Sequence, residues 1–345
     1  MTPHSSRLLR QILVAVFLVT SLLLLTIFNA TKPRILVLHS LSQASSWTSA
    51  MDAGFNKVLA SNRMPVSVTR DYLNLDILAD GVDTQVLTAA VGRKIEQFDP
   101  HVLIAVDDET SELVARHYVG RRDMKILYTG LMDEPESYGY TASSGVWGIR
   151  EQLPLQAMNR LLEQMHPTKS LNIAVVGVDD LTGRAEMEQV LRYDWGHHRI
   201  KAQALVGNFE AWRAFVSGPA RGADILLVLT TDKIPAVPGS RRMAPEADVN
   251  AWTEQHAVPL PMGVRASYVR FGGGLAVSSS PTELGAKAME MALRQLANPE
   301  QRPSASSQVN SSYDISIRRS AWVRRGFKPP EIYLEAARAA GQLYP

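Results

Sequence analysis

Two doubly wound α/β lobes following an N-terminal membrane-length helix are the fold this sequence predicts. Three observations carry the prediction. Short apolar runs bounded by turn residues alternate with amphipathic stretches along almost the whole chain. The alternation passes through two successive sets, which meet near residue 150. A basic-then-apolar segment precedes the first set.

That leading segment places Arg7 and Arg10 before the apolar run Ile12–Phe28, broken only by Thr20, Ser21 and Thr26. It is long for a signal peptide and long enough to span a bilayer. Phe28 and Ala30 make a poor cleavage site, which favours an uncleaved anchor over a cleaved signal. Either form keeps the basic side in the cytoplasm and exports the rest. The expectation is therefore a periplasmic protein tethered to the inner membrane through residues 12–28.

Ile35–Leu38 is continuously apolar, as befits a parallel strand covered on both faces. A loop with Ser40, Ser42, Ser45 and Ser46 follows. Trp47, Ala50, Met51, Gly54, Phe55, Val58 and Leu59 then recur at helical spacing. Further first-lobe strands are expected at Val66–Tyr72, Val102–Val106, Ile126–Thr129 and Gly145–Ile149. Helices are expected at Asp83–Phe98, which Asp99-Pro100 terminates, and at Glu109–Tyr118. The second set opens with a helix at Pro154. Strands read at Asn172–Gly177, Ile200–Val206, Asp224–Thr230 and Val258–Gly263. Helices read at Thr182–Tyr193, Phe209–Ser217 (capped by Asn208) and Glu246–His256. Gly274–Ser278 and Pro281–Leu296 form another strand and helix, and Tyr313–Ile317 and Glu331–Gln342 a last pair. These give residues 1–31 as signal anchor or signal peptide and 32–150 as the first lobe, completed by about 274–300. Residues 151–273 form the second lobe and 301–345 a C-terminal crossover and tail.

Composition narrows the function. The 345 residues have 46% hydrophobic content and a net charge of +2 with scattered Lys and Arg, so no nucleic-acid footprint is indicated. With no cysteine, disulfides, thiolate metal sites and a thiol nucleophile are excluded. There is no G-x-S-x-G elbow, no H-E-x-x-H and no P-loop. Phe271-Gly272-Gly273-Gly274 precedes a strand rather than following one, and reads as a turn. His197-His198 reads as a surface loop, and His39 leaves a cleft-facing role open. No metal site, cofactor or catalytic set is expected.

Strand ends supply the candidate site, because ligands of doubly wound sheets bind at the carboxyl ends of the strands. At Asp107-Asp108-Glu109, Asp108 is the expected helix cap, leaving Asp107 for a ligand. Asp179-Asp180-Leu181-Thr182 holds the equivalent place in the second lobe, with capping the stronger reading. Thr230-Thr231-Asp232 ends another strand, either as ordinary turns or as part of a polar site.

Several segments carry a family resemblance. Arg34–Leu59 holds I-L-V-L-H-S…W-T-x-A-M-x-x-G-F, and Phe98–Asp108 is similar to F-x-P-D-L-I-I-A-x-D-D. Ile126–Asp133 (I-L-Y-T-G-L-M-D), Met165–Val178, Asn250–Gly263 and Glu283–Leu296 follow in matching order. Together they resemble the ABC-transporter substrate-binding proteins related to aromatic amino-acid binders, and a branch of extracytoplasmic sensor domains. The resemblance implies a type I periplasmic binding fold with one ligand between the lobes. It implies that Ser40, Ser46, Trp47, Asp107, Thr129 and Gly130 line the first lobe, and that Asp179, Thr182, Thr230 and Gly263 line the second. A carboxylate on free N–H groups near Ser46 would fit such a site. His39-Ser40-Leu41 departs from the family's H-S-Y, so aromatic specificity does not carry over. The implied function is capture of a small polar ligand for delivery to an inner-membrane ABC permease. The alternative is a sensory binding module reporting to a separate membrane partner.

Overall fold

The computed structural model of the chain describes residues 3–77, 83–141, 143–240, 242–300, 307–326 and 329–345. Helix α1 (Pro3–Thr31) carries the apolar stretch Arg10–Asn29, and none of that stretch packs against the rest of the protein. Twenty helical residues extend about 30 Å, the thickness of a bilayer's hydrocarbon core. Only Lys32 and Pro33 separate this helix from the first strand.

The first lobe runs β1 (Arg34–His39), α2 (Ser46–Ser61), β2 (Ser67–Tyr72), α3 (Thr84–Phe98), β3 (Val102–Val106), α4 (Asp107–Leu113), β4 (Lys125–Leu131) and β5 (Trp147–Arg150). A helix α5 (Leu155–Met165) leads into the second lobe. There follow β6 (Asn172–Val178), α6 (Leu181–Arg192), β7 (Arg199–Val206), α7 (Phe209–Ser217) and β8 (Ile225–Val228). Next come α8 (Glu246–His256), β9 (Leu260–Gly263), α9 (Ala266–Arg270) and β10 (Leu275–Ser279). The chain ends with α10 (Pro281–Ala297), β11 (Ser307–Val309), β12 (Tyr313–Arg318), α11 (Arg319–Arg324), α12 (Glu331–Ala339) and β13 (Leu343–Tyr344).

The first sheet is parallel throughout, in the order β11-β5-β4-β3-β1-β2. The second, β13-β12-β10-β9-β8-β6-β7, is parallel except where β12 runs against β10. Each sheet is covered on both faces, which explains the uninterrupted apolar strands. Ile35 and Val37 pack on one side with Met51 and Phe55, while Leu36 and Leu38 pack on the other with Val91 and Ile95. Edge strand β7 alternates instead, turning Arg199, Lys201 and Gln203 to solvent.

One boundary needs correcting. The strand Leu275–Ser279 does not complete the first lobe. It pairs with β9 and β12 in the second sheet, and only the helix after it returns. That helix, α10, packs on α2 so closely that a Cβ on Gly54 would come 2.2 Å from Thr282 O, and one on Gly285 equally close to Met51 O. The C-terminal segment is likewise not a free tail. Ser307–Val309 joins the first sheet, while β12 and β13 join the second. The expected crossover includes residues 301–306, which lie outside the described residues. Three described passages therefore link the lobes, at residues 151–154, at Ser280 and at residues 310–312. They are laced together at Gln152: its N–H donates to Asn310 Oδ1 at 2.7 Å, and its carbonyl accepts from Asn310 Nδ2 and Ser279 Oγ, both at 3.1 Å.

Candidate functional site

The carboxyl ends of both sheets face one cleft of about 420 Å³. From the first lobe, Asp107 lines it. It follows β3 directly and adopts φ +71°, a left-handed conformation that costs a non-glycine residue and often marks functional positions. Its carboxylate accepts from Ser40 Oγ at 2.5 Å and from Trp47 Nε1 at 2.8 Å. These bonds tie the β1 loop and the start of α2 to the end of β3. Gly130 makes room for the arrangement, since a Cβ there would lie 2.9 Å from Asp107 Oδ1. Burial pushes the Asp107 carboxyl up to about 7; Glu109 adds repulsion, while Ser40, Lys233 and Trp47 oppose it.

Asp108 does not cap its own helix. Its carboxylate accepts from Met132 N, Asp133 N and Tyr138 OH at 3.1, 3.0 and 2.8 Å, pinning the loop after β4. The helix starts at Asp107 itself, with Val106 in the cap position and no side-chain cap. Burial raises the Asp108 carboxyl to about 6, with Glu109 adding to it and the three donors opposing.

Glu109 reaches across the cleft and pairs with Lys233 from the loop after β8. Burial works against its charge, and the ammonium more than offsets this, holding its carboxyl below the ordinary range. The second cation of the cleft is Arg265, two residues past β9. Its guanidinium donates to Glu151 at 2.5 Å, to Glu186 at 2.9 Å and to Thr230 Oγ1 at 3.0 Å. It also stacks 4.6 Å over the Trp47 ring from the opposite lobe. Glu151 and Glu186 are both fully buried.

Of the residues expected from the sequence, Ser40, Ser46, Trp47, Asp107, Gly130, Thr182 and Thr230 line this cleft. Ser45 holds the N-cap position of α2 without a side-chain cap bond. Three others do not reach it. Thr129 turns away from the opening, toward α10, with its hydroxyl 3.4 Å from Leu284 O. Asp179 lies on the surface, ion-paired with Arg184 at 2.6 Å, while Asp180 caps α6 through Gly183 N. Gly263 is buried beneath the Tyr268 ring. His39 also faces away, buried between Asp52 and the stacked Tyr72 ring. Sequence reading missed Glu109, Lys233 and Arg265 as cleft residues. Their available signal was position, because each follows a strand end within a few residues.

Among the described residues no histidine lines the cleft, and no group of three or more His, Asp or Glu is arranged to hold a metal ion.

No family model and no curated protein sequence matches the chain. Solved structures do. An ABC domain from Streptococcus pneumoniae in complex with L-Trp matches with a TM-score of 0.65 at 15% identity, over 91% of this chain and 100% of that one. A conserved domain protein from Vibrio cholerae matches with 0.63 at 16% identity, over 89% and 98%. The branched-chain amino acid transporter substrate-binding protein of Streptococcus pneumoniae, bound to isoleucine, matches with 0.57 at 6% identity, over 83% and 96%. Strand order, cleft position and these likenesses agree: the chain has the two-lobed α/β fold of periplasmic substrate-binding proteins.

Proposed function

We propose that the chain is an extracytoplasmic solute-binding protein, not an enzyme. It takes a small polar ligand into the interlobe cleft and hands it to an inner-membrane ABC permease. The observation that carries this reading is the cleft itself. Its volume of about 420 Å³ suits a metabolite, and buried polar side chains converge on it from both lobes. Ser40 and Asp107 lack a histidine beside them, so no acyl-transfer set is assembled. The laced passages at Gln152 are suited to a hinge, and the Glu109–Lys233 and Arg265–Trp47 contacts to a closed state.

A thermal-shift screen of the full chain in detergent micelles tests the reading, because a ligand that binds only the folded state raises Tm with its concentration. At least one small polar compound is expected to shift Tm in a saturable way. A broad screen of amino acids, nucleosides, sugars and carboxylates that shifts nothing would sink the proposal.

One observation favours a second reading, a membrane-held sensory module. Helix α1 runs to within two residues of β1, so an uncleaved helix would hold the first lobe against the membrane. The mass of the chain recovered from cell membranes separates the two. Retention of residues 1–31 favours the sensor; a soluble periplasmic form lacking them favours transport.

A further inference from the structure

The charge balance of the cleft bears on the sign of its ligand. Asp107, Asp108, Glu109, Asp232, Glu246 and Asp314 line it, and Glu151 and Glu186 stand against Arg265. Two partly buried cations answer them, and both are committed: Lys233 to Glu109, and Arg265 to Glu151 and Glu186. A third, Arg270, is exposed to solvent. Asp232 is left without an ion pair among the described residues, and its Oδ1 is buried with no hydrogen-bond partner.

Two other lining groups are unsatisfied in the same way. Glu109 is only 8% exposed, and its Oε2 has no partner. Ser278 is 2% exposed, and its Oγ has none either. Buried polar atoms are normally paired, because leaving one unmade costs the desolvation of that group. Here the unpaired atoms are two carboxylate oxygens and a hydroxyl, all able to accept a hydrogen bond. A ligand carboxylate would instead meet surplus negative charge, with both partly buried cations already committed.

We propose that the cleft takes an organic cation, an amine or guanidine of net positive charge, with Asp232 as its principal counter-ion; this rests on the solute-binding reading above. The ligand's N–H donors satisfy Asp232 Oδ1 and the free oxygen of Glu109, and its charge restores balance to the site.

A proton linkage follows. Burial pushes the Asp232 carboxyl up to about 8; Lys233 and Arg265 oppose this, and Glu246 and Asp180 reinforce it. Asp107, faced by Ser40, Glu109, Lys233 and Trp47, titrates near 7. A bound cation favours the ionised carboxylates, so binding expels protons. Affinity therefore strengthens as pH rises from 6 to 8 and levels off above.

The test is calorimetry and thermal shift on the full chain in detergent micelles at pH 6 and pH 8. The probes are putrescine, agmatine, L-isoleucine, succinate, glucose and calcium chloride. Putrescine or agmatine is expected to bind, at least about tenfold more tightly at pH 8 than at pH 6. Both stay fully protonated across that window, so the change belongs to the protein. Asp232→Asn is expected to weaken binding by about 30-fold or more. Its ligand-free Tm at pH 8 should equal or exceed that of the parent, which also shows that it folds. Asp232→Glu should restore part of the affinity. Binding of isoleucine, succinate, glucose or calcium while both amines stay inert overturns the organic cation and leaves solute binding standing. Silence from every probe overturns the cation and counts against solute binding too. Amine binding indifferent to pH and to Asp232→Asn also overturns it.

Discussion

Replacing Arg265 with Met is expected to destabilise the protein by about 3–5 kcal/mol, the usual cost of leaving a buried charge without its partner. Two carboxylates are stranded at once, since Glu151 and Glu186 are each at most 1% exposed and both lean on this guanidinium. The loss extends beyond charge. Arg265 joins the passage after β5, helix α6 and the end of β8, and it covers Trp47 across the cleft. At roughly 2–4 °C per kcal/mol for lobes of this size, the melting temperature should fall by about 10 °C. Adding Glu151→Gln and Glu186→Gln to Arg265→Met should recover part of that, because the stranded charges disappear. Circular dichroism melts of the single and triple variants measure both effects. A single variant melting within 2 °C of the parent would show that the guanidinium is not the tie described here. Arg265→Lys should behave more like Met than like Arg, because an ammonium cannot reach three acceptors in a planar fork.

The ligand-free protein should lose stability as pH climbs from 5.5 to 8.5, the reverse of what paired surface carboxylates produce. The sign follows from proton counting. Above about pH 5.5 the unfolded chain has released nearly all its carboxyl protons. The native chain keeps them longer, on Asp108 to about 6, on Asp107 to about 7 and on Asp232 to about 8. Unfolding therefore releases protons throughout this window, and each rise in pH favours the unfolded state. The total is on the order of 3 kcal/mol once the site relaxes around its charges. Groups held low, such as Glu109 and Asp52, act at more acidic pH and do not enter the window. Urea midpoints at pH 5.5, 7 and 8.5 should decline in that order. Asp232→Asn should flatten the decline, and a midpoint rising with pH in the parent would contradict the assignment. A saturating cationic ligand should reverse the trend, because it stabilises the ionised carboxylates.

Much of the architecture was legible in the residues for one reason. Parallel strands buried on both faces are written as unbroken apolar runs, so β1, β3 and β6 were readable within a residue or two. Helix starts were partly marked: Asp180 and Asn208 accept a backbone N–H at a helix start as expected, whereas Asp108 does not cap α4. Strand partnership was less visible. Nothing in Leu275–Ser279 says which sheet it joins, because pairing across long sequence separations leaves no local period. The short strand Ser307–Val309 is exposed and polar, and so carries no burial signal.

The cleft shows the same division. Reading strand ends led to Asp107 and Thr230, and the family resemblance added Ser40 and Gly130; all four line it. Thr129 failed because neighbouring positions in a strand face opposite ways, and Gly130 holds the open side. Asp179 failed because Asp180, one residue on, is the cap, which turns Asp179 outward to Arg184. The long-range ties were beyond reach. Glu109 and Lys233 lie 124 residues apart, and Arg265 and Glu151 lie 114 apart. Only the folded arrangement brings either pair together.

Calorimetric titration of the parent and of Asp107→Ala, side by side and with the same compound, tests the central claim most directly. Asp107 joins Ser40 and Trp47 in the lining of the cleft, so its carboxylate orders the first-lobe wall. The expected result is saturable one-to-one binding by the parent, no conversion of the compound, and loss of binding by an Asp107→Ala protein that still melts cooperatively. Undiminished binding by that variant, or turnover of the compound by the parent, would contradict a solute-binding cleft lined by Asp107.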